Sequence, residues 1–217
     1  MLTPDNLTII DEKHRLHPEA YKRFLTMREV ALSSGVHIDI VSSYRSVEQQ
    51  LAIWNAKWRG ERPLYNRKTE LVDAHTLSNE EKLHTILIFS ALPGASRHHW
   101  GTDLDVYDAT AMSNANQTLQ LIEAEYAPGA PCYPLFQWMQ HHSHEFGFYF
   151  PYIDDVGGIA REPWHISFKP IADKILAELT LEKLQQQIEK MDILGKSTIL
   201  ENLPDIYHRY ILNKGVI

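Results

Sequence analysis

Ser96-Arg-His-His-Trp-Gly-Thr-Asp-Leu-Asp-Val-Tyr107 is the stretch on which the reading of this chain turns. A turn ends at Gly101, and polar and apolar residues then alternate from Asp103 to Tyr107. Alternation at period two marks a half-buried strand, with Leu104 and Val106 entering a core and Asp103, Asp105 and Tyr107 on the other face. Two carboxylates on one face of a strand are costly unless that face meets water, a cation or a cleft.

The segments on either side predict an α+β fold. Pro18 suits a first helical turn, and Ala20, Phe24, Met27 and Ala31 recur at helical spacing before Gly35. His37 to Ser42 is a β-branched run that reads as a buried strand. Ser46 with Gln49, and Ser78 with Glu81, form capping boxes. The first opens a helix striped by Val47, Leu51, Trp54 and Trp58, the second one carrying Leu83, Ile86, Leu87 and Ala91. Arg59 to Thr76, polar and aperiodic, reads as a long surface loop, and so does Ala109 to Pro134. Leu135, Trp138, Met139 and Phe146 belong to one helix, and Phe148 to Ile153 and Trp164 to Phe168 read as two more strands. After Pro170 only helical patterns follow, one ending at Gly195 and another running from Asp205 to Leu212. The expected architecture is a small, mainly antiparallel sheet with packed helices over residues 1–170, and a helical C-terminal extension over residues 171–217 packed on the same domain.

Composition narrows the function classes. At 217 residues, 44% hydrophobic and 23% charged, the chain can bury a sizeable core. A formal charge of -7 argues against general affinity for nucleic acid or anionic membrane. The longest apolar run, around Ile86 to Leu92, is far short of a membrane span. Met1 to Asn6 show no basic region leading into an apolar one, so no export signal is visible. The chain is expected to be soluble, cytoplasmic if this is its native start and periplasmic or extracellular if a leader precedes it. The single cysteine, Cys132, excludes an internal disulfide and a Cys-rich metal finger.

The chemistry is concentrated in Ser96 to Asp105 and in Glu162-Pro-Trp-His165. A catalytic zinc site needs three nitrogen or carboxylate ligands, a fourth position for water, and a nearby carboxylate to take that water's proton. His98, Asp105 and His165 would be the ligands and Glu162 the general base. Pro163 forces Glu162 into an extended conformation, which lets Glu162 and His165 be held rigidly near one another.

The pattern Ser-x-His-x-x-Gly-x-x-x-Asp followed by Glu-x-x-His resembles the zinc D-alanyl-D-alanine carboxypeptidases and dipeptidases of the VanY/VanX type, whose zinc-site fold is shared with the hedgehog signalling domain. Ser43-Tyr-Arg-Ser-Val-Glu-Gln-Gln50 matches a third landmark of that family, and Pro93-Gly94 and Phe146-Gly-Phe148 also fit. The resemblance covers roughly residues 18–170. It implies Zn2+ as cofactor and a peptidoglycan stem peptide or muropeptide as substrate. It implies that Arg45 neutralises the developing oxyanion or the substrate carboxylate. A guanidinium suits that work, being always charged and offering a planar fork of donors. Tyr44, Gln50, Ser96, Asp103 and Trp164 are expected around the substrate. Asp103 departs from the family, most of whose members carry a small residue there; it would orient His98 from behind or repel an anionic substrate tail. Two alternatives stand beside the carboxypeptidase: an L,D-cleaving peptidoglycan endopeptidase, and a non-catalytic hedgehog-like zinc domain that binds wall fragments.

Other suggestive residues read as structural. His99 is expected at the surface or behind the ligands. Helical spacing puts His142 on the apolar stripe with Leu135, Trp138 and Met139, and His141 and His144 on a more exposed face, so that cluster is not expected to bind metal. Ser96 lacks the Gly-x-Ser-x-Gly elbow of a serine hydrolase. Gly195-Lys-Ser197 lacks the first glycine of a phosphate loop.

Overall fold

The main sheet has four strands, β1 (Asp39–Ser42), β2 (Asp103–Tyr107), β3 (Phe148–Tyr149) and β4 (His165–Phe168), ordered β1-β2-β4-β3 with every neighbouring pair antiparallel. The computed structural model describes residues 6–216, so the reading of the N-terminus lies, apart from Asn6, outside the described residues. In chain order the helices are α1 (Pro18–Ser33), α2 (Val47–Trp58), α3 (Asn79–Leu87), α4 (Ala109–Asn114), α5 (Tyr133–His142), α6 (Lys169–Glu178), α7 (Leu181–Lys190), α8 (Lys196–Glu201) and α9 (Leu203–Ile206). No helix among the described residues is long and apolar enough to cross a membrane.

The chain divides into two compact units. One comprises the described residues up to Tyr44 with Trp100–Ile153 and Arg161–Lys174; the other comprises Arg45–His99, Asp154–Ala160 and the chain from Ile175 onward.

The first unit holds the sheet. Pro18 starts α1, whose buried residues are Ala20, Phe24, Met27 and Ala31. They pack with Leu104 and Val106 of β2, Ile166 and Phe168 of β4, and Leu135, Trp138 and Met139 of α5. β3 is shorter than the Phe148 to Ile153 run predicts, because a turn containing Pro151 follows, and proline cannot donate to a ladder. α5 ends at His142 and gives way to a 3-10 turn over Ser143–Phe146, closed by Gly147 at φ 84°. A side chain at Gly147 would put its Cβ 2.9 Å from the Phe168 ring, so the turn needs glycine for space as well as conformation. Within the stretch read as a loop, Asp108 caps α4 by accepting the Ala111 N–H at 2.7 Å. Six residues are too few for a visible periodic stripe.

The second unit is built on helices. Both expected capping boxes form, at Ser46 with Gln49 and at Ser78 with Glu81. Trp54 of α2, Leu83, Ile86 and Leu87 of α3, Leu184 and Ile188 of α7, and Ile199 of α8 are almost wholly buried. The Trp54 indole N–H donates to the Leu194 carbonyl at 3.1 Å. Gly195 packs against Trp58, where an added Cβ would lie 2.2 Å from the ring; packing and a φ of 75° account for this glycine without a phosphate. The 59–76 segment contains a short hairpin, Leu64–Tyr65 paired with Leu71–Val72. Asn66 organises its turn by accepting the N–H groups of Lys68 and Glu70.

Candidate active site

β2 is buried on both faces rather than half exposed. Leu104 and Val106 lie in the core, while Asp103 and Asp105 are 0% and 6% exposed. β4 pairs beside it with Asp105 opposite His165 and Asp103 opposite Ser167. Residues opposite one another on adjacent strands point to the same face, so the ladder brings carboxylates and imidazole together.

His165 lies among three carboxylates. Its Nε2 is 2.9 Å from Asp103 Oδ1, and its Nδ1 is 3.1 Å from Asp105 Oδ1 and 3.4 Å from Glu162 Oε2. Burial alone would lower the pKa of this ring, yet the hydrogen bonds to Asp103, Asp105 and Glu162 hold it well above 6.5. The Glu162 N–H donates to the Tyr152 carbonyl at 2.8 Å, and the Glu162 carbonyl accepts from His165 N–H at 3.2 Å. The residue is thus fixed on both sides, while its side chain keeps 13% exposure. Tyr152 also packs against the His165 ring, edge to face at 5.0 Å.

His98 is carried by the 3-10 turn Arg97–Trp100 that leads into β2. His98, Asp105 and His165 are all buried, and each offers one ligand atom within 4.8 Å of the others. Two imidazoles and a carboxylate, with more negative charge close by, are a donor set that fits zinc and leaves a fourth position for water or substrate. Among the described residues, no such group includes His141, His142 or His144.

The remaining expected site residues have varied places. The Arg45 Nη1 donates to Gln50 Oε1 at 2.9 Å, and Gln50, 1% exposed, donates onward to the Ala91 carbonyl at 2.7 Å. Tyr44 is half-buried, and its N–H donates to the Arg15 carbonyl at 3.1 Å. Ser96 is buried, and its carbonyl accepts the His99 N–H at 3.0 Å. Trp164 packs in a cluster with Met112, Tyr126, Cys132 and Phe136 and is 5% exposed.

The readings of Asp103 and His142 need correction. Asp103 was expected beside the substrate or behind His98, but it is fully buried with its oxygens on His165, Thr102 and Ser167. Of the two places expected for His99, it takes the buried one: its Nδ1 is 2.7 Å from the Arg45 carbonyl, and its Nε2 accepts the Gly94 N–H at 3.1 Å. Burial lowers its pKa to about 4, so it is neutral and Nδ1 carries the proton. His142 is not a core residue; its side chain is 44% exposed and pairs with Glu145, because the helical stripe ends with the helix. Sequence reasoning missed Tyr152, Thr102 and Ser167. No spacing rule singles out a ring or a hydroxyl that acts only through its neighbour.

The sequence profile of the VanY family, described as D-alanyl-D-alanine carboxypeptidase, matches residues 13–171. The chain belongs to that family. An uncharacterized protein of Haemophilus influenzae is 32% identical over 123 residues, covering 56% of this chain and 93% of that protein. The putative carboxypeptidase YodJ of Bacillus subtilis is 24% identical over 208 residues, 87% of this chain and 63% of its own length. Among solved structures, a zinc complex of the D,D-pentapeptidase VanY from a VanB-type resistance cassette superposes with a TM-score of 0.54 at 22% identity, over 82% of this chain and 87% of that one. The LD-carboxypeptidase LdcB superposes with a TM-score of 0.55 at 23% identity, over 84% and 78% of the respective chains. These likenesses establish the VanY-like α+β fold.

Proposed function

We propose that this protein is a zinc-dependent carboxypeptidase that removes a C-terminal D-amino acid, of the D-alanyl-D-alanine type, from peptidoglycan-derived peptides. The observation that carries the reading is the buried convergence of His98, Asp105 and His165, with the Glu162 carboxylate beside His165. Those three side chains would hold the metal, which supplies Lewis acidity toward the scissile carbonyl and toward water. The VanY solved with zinc, and VanYB solved with D-alanine-D-alanine, support the choice of metal and of substrate class.

The chain's own residues do the rest. Glu162 receives the proton of the attacking water and passes it to the leaving amine, work suited to a carboxylate with a rigid main chain and a partly open side chain. Arg45 supplies a permanent positive charge for the substrate carboxylate or the developing oxyanion. Gln50 accepts a hydrogen bond from the guanidinium and helps to orient it, so less freedom is lost when substrate binds.

Metal analysis of purified protein, together with D-alanine release from a muramyl-type peptide, tests the proposal. Stoichiometric zinc and zinc-dependent release are expected. Full activity in Glu162→Ala would refute the assigned base. Product masses from stem peptides ending in one or in two D-residues, and from intact peptidoglycan, separate D,D-cleavage from the L,D-cleaving alternative. Zinc uptake with no cleavage of any of these would favour the non-catalytic wall-binding domain.

A further inference from the structure

We propose that Asp103 is a positioning residue for the metal centre: it selects the nitrogen that His165 presents to the ion and does not touch substrate. The inference rests on the zinc reading above and adds a role within it.

Asp103 has no exposed surface, so nothing in solution reaches it. Its Oδ2 accepts hydroxyl hydrogen bonds from Thr102 at 2.6 Å and Ser167 at 2.9 Å, while its Oδ1 lies 2.9 Å from His165 Nε2. A carboxylate buried this deeply persists only where donors surround it. With both hydroxyls donating to Oδ2, Oδ1 is left to accept from the ring, which puts an imidazole proton on Nε2. The lone pair is then left on Nδ1, the nitrogen 3.1 Å from Asp105 Oδ1 and therefore on the side of the other ligands. Swapping the tautomer would set a lone pair against a carboxylate and point an N–H at the metal position.

The device is assembled from the sheet register. Asp103 and Ser167 are ladder partners, as are Asp105 and His165, so one strand supplies both a ligand and the brace for the ligand opposite. A carboxylate behind a ligating imidazole also makes the ligand more basic and restrains its ring. Loss of such a partner typically costs roughly 10–100-fold in metal affinity.

Three measurements on the full chain test this. Nitrogen NMR of histidine-labelled, zinc-loaded wild type should show His165 metallated at Nδ1 and protonated at Nε2; metallation at Nε2 would overturn the proposal. Competition with a chromophoric chelator should show zinc held roughly 10–100-fold more weakly by Asp103→Ala, and by a smaller factor by Asp103→Asn, which keeps the shape and an acceptor. Thermal midpoints of the metal-free proteins separate this role from a merely structural one. An Asp103 that only stabilised the fold would lower the midpoint and leave the zinc affinity of folded protein unchanged, and that result would also overturn the proposal. Should Asp103→Ala not fold, Asp103→Asn and the wild-type spectrum decide. Wild type that takes up no zinc would instead refute the zinc reading itself, and this would be known before any variant is compared.

Discussion

His165 and His99 are both nearly sealed from water, at 3% and 6% exposure, yet their surroundings drive them to opposite charge states. Burial pushes each imidazole toward neutrality. At His165 the hydrogen bonds to Asp103, Asp105 and Glu162 overcome it, and the ring holds its proton well above pH 6.5 in the absence of a metal. At His99 the partners are a carbonyl and an amide N–H, and the pKa falls to about 4. Depth says little about a buried histidine; the charge of its neighbours decides its use. Surplus carboxylates make a cage that asks for a cation, while main-chain partners make a neutral staple between Arg45 and Gly94.

The comparison breaks first at its chemical end. Glu162→Gln is expected to lower kcat by roughly 10²–10⁴-fold while metal analysis shows zinc retained. Loss of zinc instead would make Glu162 part of the cage rather than the base beside it.

The staple is tested through stability. His99→Ala leaves the Gly94 N–H and the Arg45 carbonyl without this partner, at about 1–3 kcal/mol for each group that stays unsatisfied. Denaturant midpoints should fall accordingly, with zinc affinity little changed. The sign of the pH effect follows from the depressed pKa. Between about 6.5 and about 4 the unfolded chain binds a proton that folded His99 refuses, so this residue's contribution to stability shrinks as pH falls through that window. The slope is at most about 1.4 kcal/mol per pH unit, and unfolding measured at several pH values should show it flattened in His99→Gln.

Smaller effects sharpen the contrast between held and unheld side chains. Gln50→Leu removes one hydrogen bond from the Arg45 guanidinium and should raise KM by about tenfold, with kcat less affected, in steady-state assays. Leu71→Ser, on the hairpin and 70% exposed, should shift stability by no more than about 0.5 kcal/mol in the same unfolding experiments.

Much of this was legible in the residues. Capping boxes and apolar stripes are local signals, and α1, α2 and α3 begin where those signals put them. The strand that carries Asp103 and Asp105 was legible because alternation sets the face of each residue. What alternation does not carry is the identity of the neighbour on that face. Pairing of β2 with β4 decides that, and so Asp103 was expected near His98 while its carboxylate meets His165. The 64–72 hairpin escaped notice because strands of two residues are too short to show a period. His142 keeps the spacing of the stripe but is the last residue of α5, where its side chain turns out to pair with Glu145.

Asp105 and His165 face each other across one rung of the β2–β4 ladder, although 60 positions of chain separate them. A slip of one residue would carry one of them to the opposite side of the sheet. An ion that requires both therefore rewards only correctly aligned chains. Metal capture would then act as proofreading of strand alignment, and zinc present during refolding is expected to raise the yield of correctly paired protein.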